Sequence, residues 1–368
     1  MSPRSESRAV TKPIRVAPVG YGLGGQSFHA PLITATSGLQ LTAIVTANSA
    51  RRAAASREHP QAQLVESAEH LWQDAKNYDL VVITSPNRFH IPLARAAIAA
   101  GIAVVVDKPM AATAHEARLL IDEAQRLKIP LTVYQNRRWD GDFLTVKRLL
   151  AEGALGEVLR FESRFDNWRP APKDAWRESG DPQDAGGLLY DLGSHLIDQA
   201  LHLFGPVTHV YAEIAQRRPG VKVDDDFFVA LHHAAGVRSH LWGSSVAAQE
   251  GLRMRVLGAR AAYTKSHRDV QEPWLRSGRG PATPGYGVES PEQWGRLGVG
   301  DQSRGIETER GNYSRFYAQT EAWLCEGAPP PVNPEDSMRG LEIIEAAQRS
   351  AAVRQIIPLA TEESILIA

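Results

Sequence analysis

The sequence predicts an α/β protein in which a doubly wound parallel sheet is followed by an α+β domain with a large, mainly antiparallel sheet. Three observations carry this prediction. An apolar run ending at Val19 leads into the glycine-rich stretch Gly20-Tyr21-Gly22-Leu23-Gly24-Gly25. Strand-like and helical segments then alternate as far as Tyr134, the grammar of parallel strands joined by crossover helices. Past Gln135, strand-like segments follow one another too closely for that grammar and read as antiparallel neighbours.

At 368 residues the chain exceeds one ordinary core, at roughly 150 residues per domain. It divides into a loose tail (1–12), a dinucleotide-binding domain (13–135) and a substrate-binding and oligomerisation domain (136–368). A net charge of -1 provides no field that would draw the chain to nucleic acid or an anionic membrane. The single cysteine, Cys325, excludes an internal disulfide or a cysteine-based metal site and fits a reducing compartment. No run approaches the roughly 18 apolar residues of a membrane helix, and the first twelve residues lack the apolar segment of a secretory signal. The expected location is therefore the cytoplasm.

The first strand starts near Ile14 and contains Pro18, which is unusual in a central strand because it cannot donate to a ladder. Gly20, Gly22 and Gly25 fit G-x-G-x-x-G, whose glycines permit a tight turn, close approach of a pyrophosphate and close helix packing; the alternative is an ordinary turn. His29-Ala30-Pro31 predicts an irregular or late-starting helix. The second strand, residues 39–45, runs into Thr46-Ala47-Asn48-Ser49-Ala50-Arg51-Arg52. No Asp or Glu is present there for a ribose 2′-hydroxyl, whereas two arginines suit a 2′-phosphate. NADP is therefore favoured, with NAD as the alternative. If that reading fails, Arg51 and Arg52 are solvated charges on the next helix.

Residues 79–84 form a continuous apolar strand that ends in Ser85-Pro86-Asn87-Arg88-Phe89-His90, at the sheet edge where open α/β folds bind ligands. A helix over 91–100 stops at Gly101, which is expected as its C-cap. A strand over 103–106 enters Asp107-Lys108-Pro109, and helix 114–127 and strand 131–134 complete the first domain. The cofactor candidates are Gly20, Gly22, Leu23, Gly24, Gly25, Thr46, Asn48, Arg51, Arg52, Ser85, Pro86, Asn87, His90, Asp107 and Lys108. In the second domain the pattern predicts a helix over 143–150 and strands over 158–165, 207–214, 227–232, 237–244 and 252–257. Residues 266–311, rich in Gly, Pro and charge without a period, suggest a functional or partly disordered segment. Closing helices follow over 313–325 and 336–354.

Two stretches carry candidate chemistry. Lys108 directly follows a parallel strand, and Pro109 would stiffen the turn, with a cis bond as one form of it. A lysine there can donate to a substrate oxygen and stabilise developing negative charge; the alternative is a surface lysine. In Gly186-Gly187-Leu188-Leu189-Tyr190-Asp191-Leu192-Gly193-Ser194-His195-Leu196-Ile197-Asp198, a helix would set Asp191 and His195 four apart on one face. A carboxylate beside an imidazole supports a general base; the alternative is a paired Asp and His in the core. Asp191, His195, Asp198 and His202 also recur at a spacing that could offer metal ligands, but one straight helix cannot easily wrap four ligands around an ion, so no metal is expected.

Taken together these motifs resemble the glucose-fructose oxidoreductase, inositol dehydrogenase and rhizopine-catabolism (Gfo/Idh/MocA) family, over almost the whole chain. Asp107-Lys108-Pro109 matches the family's E-K-P element with Asp for Glu, and Gly186 to His195 match G-G-x-x-x-D-x-G-x-H. The resemblance implies a Rossmann domain followed by a C-terminal α/β domain, with Lys108, Asp191 and His195 as the catalytic set and the histidine as acid/base. Ser27-Phe28-His29-Ala30-Pro31-Leu32, Asn136-Arg137-Arg138-Trp139-Asp140, Ala175-Trp176-Arg177-Glu178 and Tyr190 to Gln199 look similar to the NADP-dependent scyllo-inositol dehydrogenase branch. Relatives there often carry an arginine near Asn48, which is absent here; Arg51 and Arg52 are the available substitutes.

The expected activity is hydride transfer between a nicotinamide cofactor and a secondary alcohol or ketone of a cyclitol or sugar. Tyr134, Arg137, Arg138, Trp139 and Tyr190 are candidates to line the pocket for a small polyol or sugar. A non-catalytic protein that senses NADP or a sugar is the alternative. The uncovered face of the second sheet implies a homodimer or homotetramer, since a large apolar face is rarely left in water.

Overall fold

The structure, a computed structural model, describes residues 12–172 and 175–359. The expected loose tail lies, up to residue 11, outside the described residues. The first sheet comprises β1 (Ile14–Val19), β2 (Leu39–Leu41), β3 (Ala43–Val45), β4 (Gln63–Val65), β5 (Leu80–Ile83), β6 (Ala103–Asp107) and β7 (Leu131–Tyr134), in the order β4-β3-β1-β5-β6-β7 with β2 beside β1. All pairings are parallel. β5 and β7 are buried at every position, as the apolar runs of a sheet covered on both faces require. β4 is a short strand that its polar sequence did not announce.

Pro18 finds its explanation here. The amides of Ile14 and Gly20 donate towards the β2/β3 side, to Gly38 and Val45, so by the two-residue alternation of a strand Pro18 faces that side too. That neighbour is interrupted at Thr42, between β2 and β3. The missing donor thus falls where the ladder is already broken, and the pairing to β5 on the other side stays intact.

The irregular first helix is also present: Gly24–His29 forms a π-helical turn, and the regular helix Ala30–Thr34 begins only afterwards, with Pro31 in its first turn. Helix Ala114–Leu127 starts at a capping box between Thr113 and Glu116 and covers the residues its amphipathic pattern indicates.

The second sheet comprises β8 (Val158–Asp166), β9 (Val207–Ala215), β10 (Asp226–His233), β11 (Arg238–Ser244), β12 (Met254–Gly258), β13 (Ala262–Lys265), β14 (Gly295–Gly298), β15 (Arg304–Ile306) and β16 (Ile357–Pro358), in the order β15-β14-β13-β12-β8-β11-β10-β9-β16. Pairing is antiparallel except between β8 and β11, which the helical excursion from 167 to 206 allows to run in parallel. The segment 266–311 is more regular than expected. It supplies helix Gln271–Arg276 and strands β14 and β15, and it is tied down by the buried pair of Lys265 and Glu289 at 2.6 Å.

Helices Ser194–Phe204 and Pro334–Val353 cover one face of this sheet. The latter also packs on helix Ala114–Leu127 and on β7, so the C-terminal part of the chain braces both sheets. The opposite face presents the half-buried rings of Tyr211, Phe228, His240 and Trp242, with the Arg164 guanidinium 4.4 Å from the Trp242 ring centre. No helix among the described residues is long and apolar enough to cross a membrane.

Candidate active site

Three of the four loop glycines are required by packing. A Cβ on Gly20, whose φ is +115°, would lie 2.6 Å from the Thr84 carbonyl oxygen; on Gly24, 2.2 Å from Thr84 Oγ1; and on Gly25, 2.2 Å from the Gly20 oxygen. Gly22 differs, because a Cβ there would meet only the Arg51 guanidinium, at 3.7 Å. A bare backbone facing a cation is a cradle that a side chain would fill, and it fits the pyrophosphate and ribose end of a dinucleotide. Arg51 is exposed and makes no ion pair among the described residues. Asn48, in contrast, spends its side chain capping the next helix, accepting from the Arg51 amide at 3.0 Å, and Arg52 turns back towards the Thr46 carbonyl at 3.4 Å.

At the edge of β5, two of the residues expected to touch the cofactor are occupied otherwise. His90 is buried, with its ring nitrogens 2.8 Å from the Pro109 oxygen and 3.0 Å from the Ser85 oxygen. Burial lowers its pKa against the pull of Asp107 and the two carbonyls, and the ring braces the two loops. Asn87 donates its amide to the carbonyls of Asp184 and Ala185, and Arg88 pairs with Asp181 and Asp184. These residues fasten the second domain's 181–185 turn to the first. Ser85 keeps a buried hydroxyl without a hydrogen-bond partner among the described residues.

β6 delivers Asp107 and Lys108, and the Lys108–Pro109 bond is cis. Burial would raise the Asp107 carboxyl, but His29, His90 and Lys108 bring it to about 2. His29, wholly buried, lies 3.5 Å from Asp107 through Nε2 and 2.6 Å from the Tyr317 hydroxyl through Nδ1. The π-turn after the glycine loop is what carries His29 beneath β6. Lys108 Nζ donates to the Asp191 carbonyl at 2.5 Å and lies 3.1 Å from the Asp191 carboxylate.

That contact corrects the expected Asp191–His195 pair. Leu189–Gly193 is a π-helical turn, and only Ser194–Phe204 is α-helical. The wider i→i+5 turn takes residue 195 off the stripe that an α-helix would place beside residue 191. Asp191 instead bridges Lys108 and Arg177, the latter at 3.5 Å. Burial works to raise its carboxyl, yet these two cations hold it below the usual range. His195 is buried, with Nδ1 lacking any hydrogen-bond partner among the described residues. Burial, then the charges of Lys108, Arg137 and Arg253, push its imidazole well below the usual histidine range. The outcome is a neutral histidine beside a fixed ammonium.

A cavity of about 340 Å³ opens over these groups, lined by Leu23, Gly24, Asp107, Lys108 and Tyr134 from the first domain and by Asn136, Arg137, Asp191 and His195 from the second. Three expected pocket residues lie elsewhere. Arg138 is buried between Asp198, at 2.7 Å, and Asp336, at 3.0 Å. Trp139 packs edge-on against Phe316, and the Tyr190 hydroxyl donates to the Ala112 carbonyl. Each is a large group in a polar-aromatic stretch, and sequence alone does not say which side of it faces inward. Asp198 and His202, weighed as metal ligands, are engaged by Arg138 and by Lys147 at 3.0 Å.

Further walls come from residues not among the expected site residues: Phe28, Arg169, Arg177, Glu178, Arg218, Asp224, Glu272 and Arg276. Arg177 lay in a stretch already conspicuous for its tryptophan and paired charges. Asp224 lay in the run Asp224-Asp225-Asp226, where three carboxylates before a strand were an available signal. Glu272 pairs with Arg137 at 2.8 Å and Arg276 at 3.1 Å. Arg218 reaches Asp225, Glu178 and the carbonyls of Arg169 and Ala171, pinning the 169–178 wall to the sheet.

Comparison with known proteins agrees with this geometry. Residues 14–135 match an oxidoreductase family with an NAD-binding Rossmann fold, and residues 143–264 match the GFO/IDH/MocA C-terminal domain. The uncharacterized oxidoreductase YdgJ of Escherichia coli is 40% identical, over 94% of this chain and 99% of its own. The scyllo-inositol 2-dehydrogenase (NADP(+)) IolW of Bacillus subtilis is 35% identical, over 94% of this chain and 96% of its own. Among solved structures, yvaA from Bacillus subtilis superposes with a TM-score of 0.90 at 35% identity, covering 96% of this chain and 100% of that one. An oxidoreductase from Bacillus cereus gives 0.83 at 29% identity, covering 95% and 99%.

Proposed function

The chain belongs to the Gfo/Idh/MocA family of oxidoreductases with an NAD-binding Rossmann domain, and from that premise we propose that it interconverts a secondary alcohol of a cyclitol or sugar with the ketone, using NADP in preference to NAD. The observation that carries this is the meeting of Lys108, from the end of β6, with His195, from the second domain, in one cavity beside the glycine loop. A bound nicotinamide would supply or accept the hydride. Neutral His195 takes the hydroxyl proton in oxidation and returns it in reduction. Lys108 donates to the same oxygen and stabilises the charge that develops on it. Asp191, held between Lys108 and Arg177, fixes the ammonium in place.

The preference for NADP rests on Arg51 over Gly22, on the absence of an acidic residue after β3, and on the name of the relative IolW. The polyol reading rests on the same relative and on a pocket lined by charged and amide side chains, which select paired hydroxyls as apolar walls cannot. A sensor that binds without turnover is disfavoured by the retention of both Lys108 and His195. We assign the half-buried aromatic face of the second sheet to a second copy of this chain. Screening inositols, aldoses and their keto forms with both nucleotides tests the activity; bound nucleotide with no turnover of any of them would favour the sensor.

A further inference from the structure

Asp224 stands apart among the carboxylates of the pocket. Glu178 faces Arg218, Asp191 faces Lys108 and Arg177, Glu272 faces Arg137 and Arg276, and Asp107 faces His29. Asp224 has no cationic partner among the described residues. One of its oxygens, Oδ2, accepts the Leu189 amide at 2.7 Å, and its backbone carbonyl accepts the Leu188 amide at 2.9 Å. These bonds hold the first turn of the segment that carries Asp191 and His195.

The seat is built for this side chain. Gly187 has φ +103°, and a Cβ there would come 2.0 Å from Asp224 Oδ1. The second glycine of Gly186-Gly187 thus does two things: it takes a backbone conformation unfavourable to other residues and leaves room for the carboxylate. Burial pushes the Asp224 carboxyl up to about 6, so it is ionised above that pH, and an ionised carboxylate has about four acceptor positions, of which the Leu189 amide fills one. Unspent acceptor capacity at the wall of a polar cavity, on a group too constrained to move away, is what recognition of a hydroxyl requires.

We propose that Asp224 is a specificity-determining residue that accepts a hydroxyl of the substrate while its other oxygen fixes the segment bearing His195. The inference rests on the polyol reading given above. It predicts binding through a hydroxyl other than the one that reacts, because Lys108 and His195 serve the reacting oxygen.

The test compares wild type, Asp224→Asn and Asp224→Ala with scyllo-inositol, myo-inositol and a deoxy analogue of each, at saturating NADP. Asn can still accept from Leu189 but is a weaker acceptor for a hydroxyl. The expected result for Asn is a KM raised about tenfold or more, the scale of a hydrogen bond to a charged group, with kcat within about threefold. For one deoxy analogue the wild-type and variant KM values should converge. In Asp224→Ala both KM and kcat should suffer, since the Leu189 amide loses its partner. An unchanged KM in Asp224→Asn, or equal losses on every analogue, would overturn the inference while leaving the polyol reading standing. If wild type neither binds nor turns over any of these polyols, both readings fall together.

Discussion

The Lys108 ammonium and the Asp191 carboxylate, 83 residues apart in sequence, lie 3.1 Å from each other, and the same ammonium also holds the Asp191 backbone carbonyl at 2.5 Å. The Asp191 carboxylate is thereby coupled to the lysine and not to the histidine four residues after it. Kinetic coupling in the proposed reaction should follow the same geometry. His195→Ala and Lys108→Ala should each lower kcat by roughly 10²-fold or more, with nucleotide affinity little changed. In double-mutant cycles on kcat/KM, Lys108 and Asp191 should couple by about 0.5 to 3 kcal/mol. Asp191 and His195 should couple less. The reverse order would contradict the arrangement.

The pH dependence follows from the depressed pKa of His195. The neutral imidazole needed for alcohol oxidation persists below the ordinary histidine range, so the acidic limb attributable to His195 should lie under pH ~6.5. Stability has the matching sign. With the folded pKa below the unfolded one, the unfolded chain takes up the proton first, so this contribution is intact above about pH 6.5. It is lost as pH falls below that value, by up to about 1.4 kcal/mol per pH unit. Urea unfolding at about pH 7.5 and about pH 5.5 should show a smaller loss in His195→Gln than in wild type.

Nucleotide preference should reside mainly in one arginine. Arg51 lies over Gly22 without an ion pair, whereas Arg52 is turned towards the Thr46 carbonyl. Arg51→Ala should weaken NADP binding by about 1.5 to 3 kcal/mol, the scale of a charge-assisted hydrogen bond, and leave NAD nearly unchanged. Arg52→Ala should do much less. Calorimetric titration of both nucleotides into both variants checks this; equal affinities for NADP and NAD in wild type would refute the proposed preference.

Self-association should depend on the ring cluster of the open sheet face. Phe228 stacks on Trp242 with ring centres 5.2 Å apart, and Tyr211 and His240 flank it. Phe228→Glu sets a charge in the middle of that face and should shift the proposed oligomer to monomer in light scattering at micromolar concentration. Nucleotide affinity should persist. Wild type that is already monomeric there would remove the proposal.

The first domain was legible because its signals are local. Continuous apolar runs and Gly101 as a stop are read within a few residues of where they act. Lys108 and His195 were legible by motif. What was not legible were assignments that depend on which way a side chain faces across a chain reversal. Arg138, Trp139 and Tyr190 have the chemistry of pocket residues and are used for packing, while Arg177, Asp224 and Glu272 come from segments that carry no period.

By itself, then, the sequence determined the parallel-sheet domain, the antiparallel character of most of the second sheet and the glycine cradle, since each follows from backbone preference and hydrophobic periodicity, while the two residues that meet in the pocket were marked by their motifs. Only the tertiary structure decided what partners them. A π-turn at Leu189–Gly193 moves His195 away from Asp191, and the loop after β6 brings Lys108 to Asp191 in its place. An ion pair is a matter of ångströms between distant segments. Residue spacing fixes such distances only within a regular helix or strand, and at this site the helix is not regular.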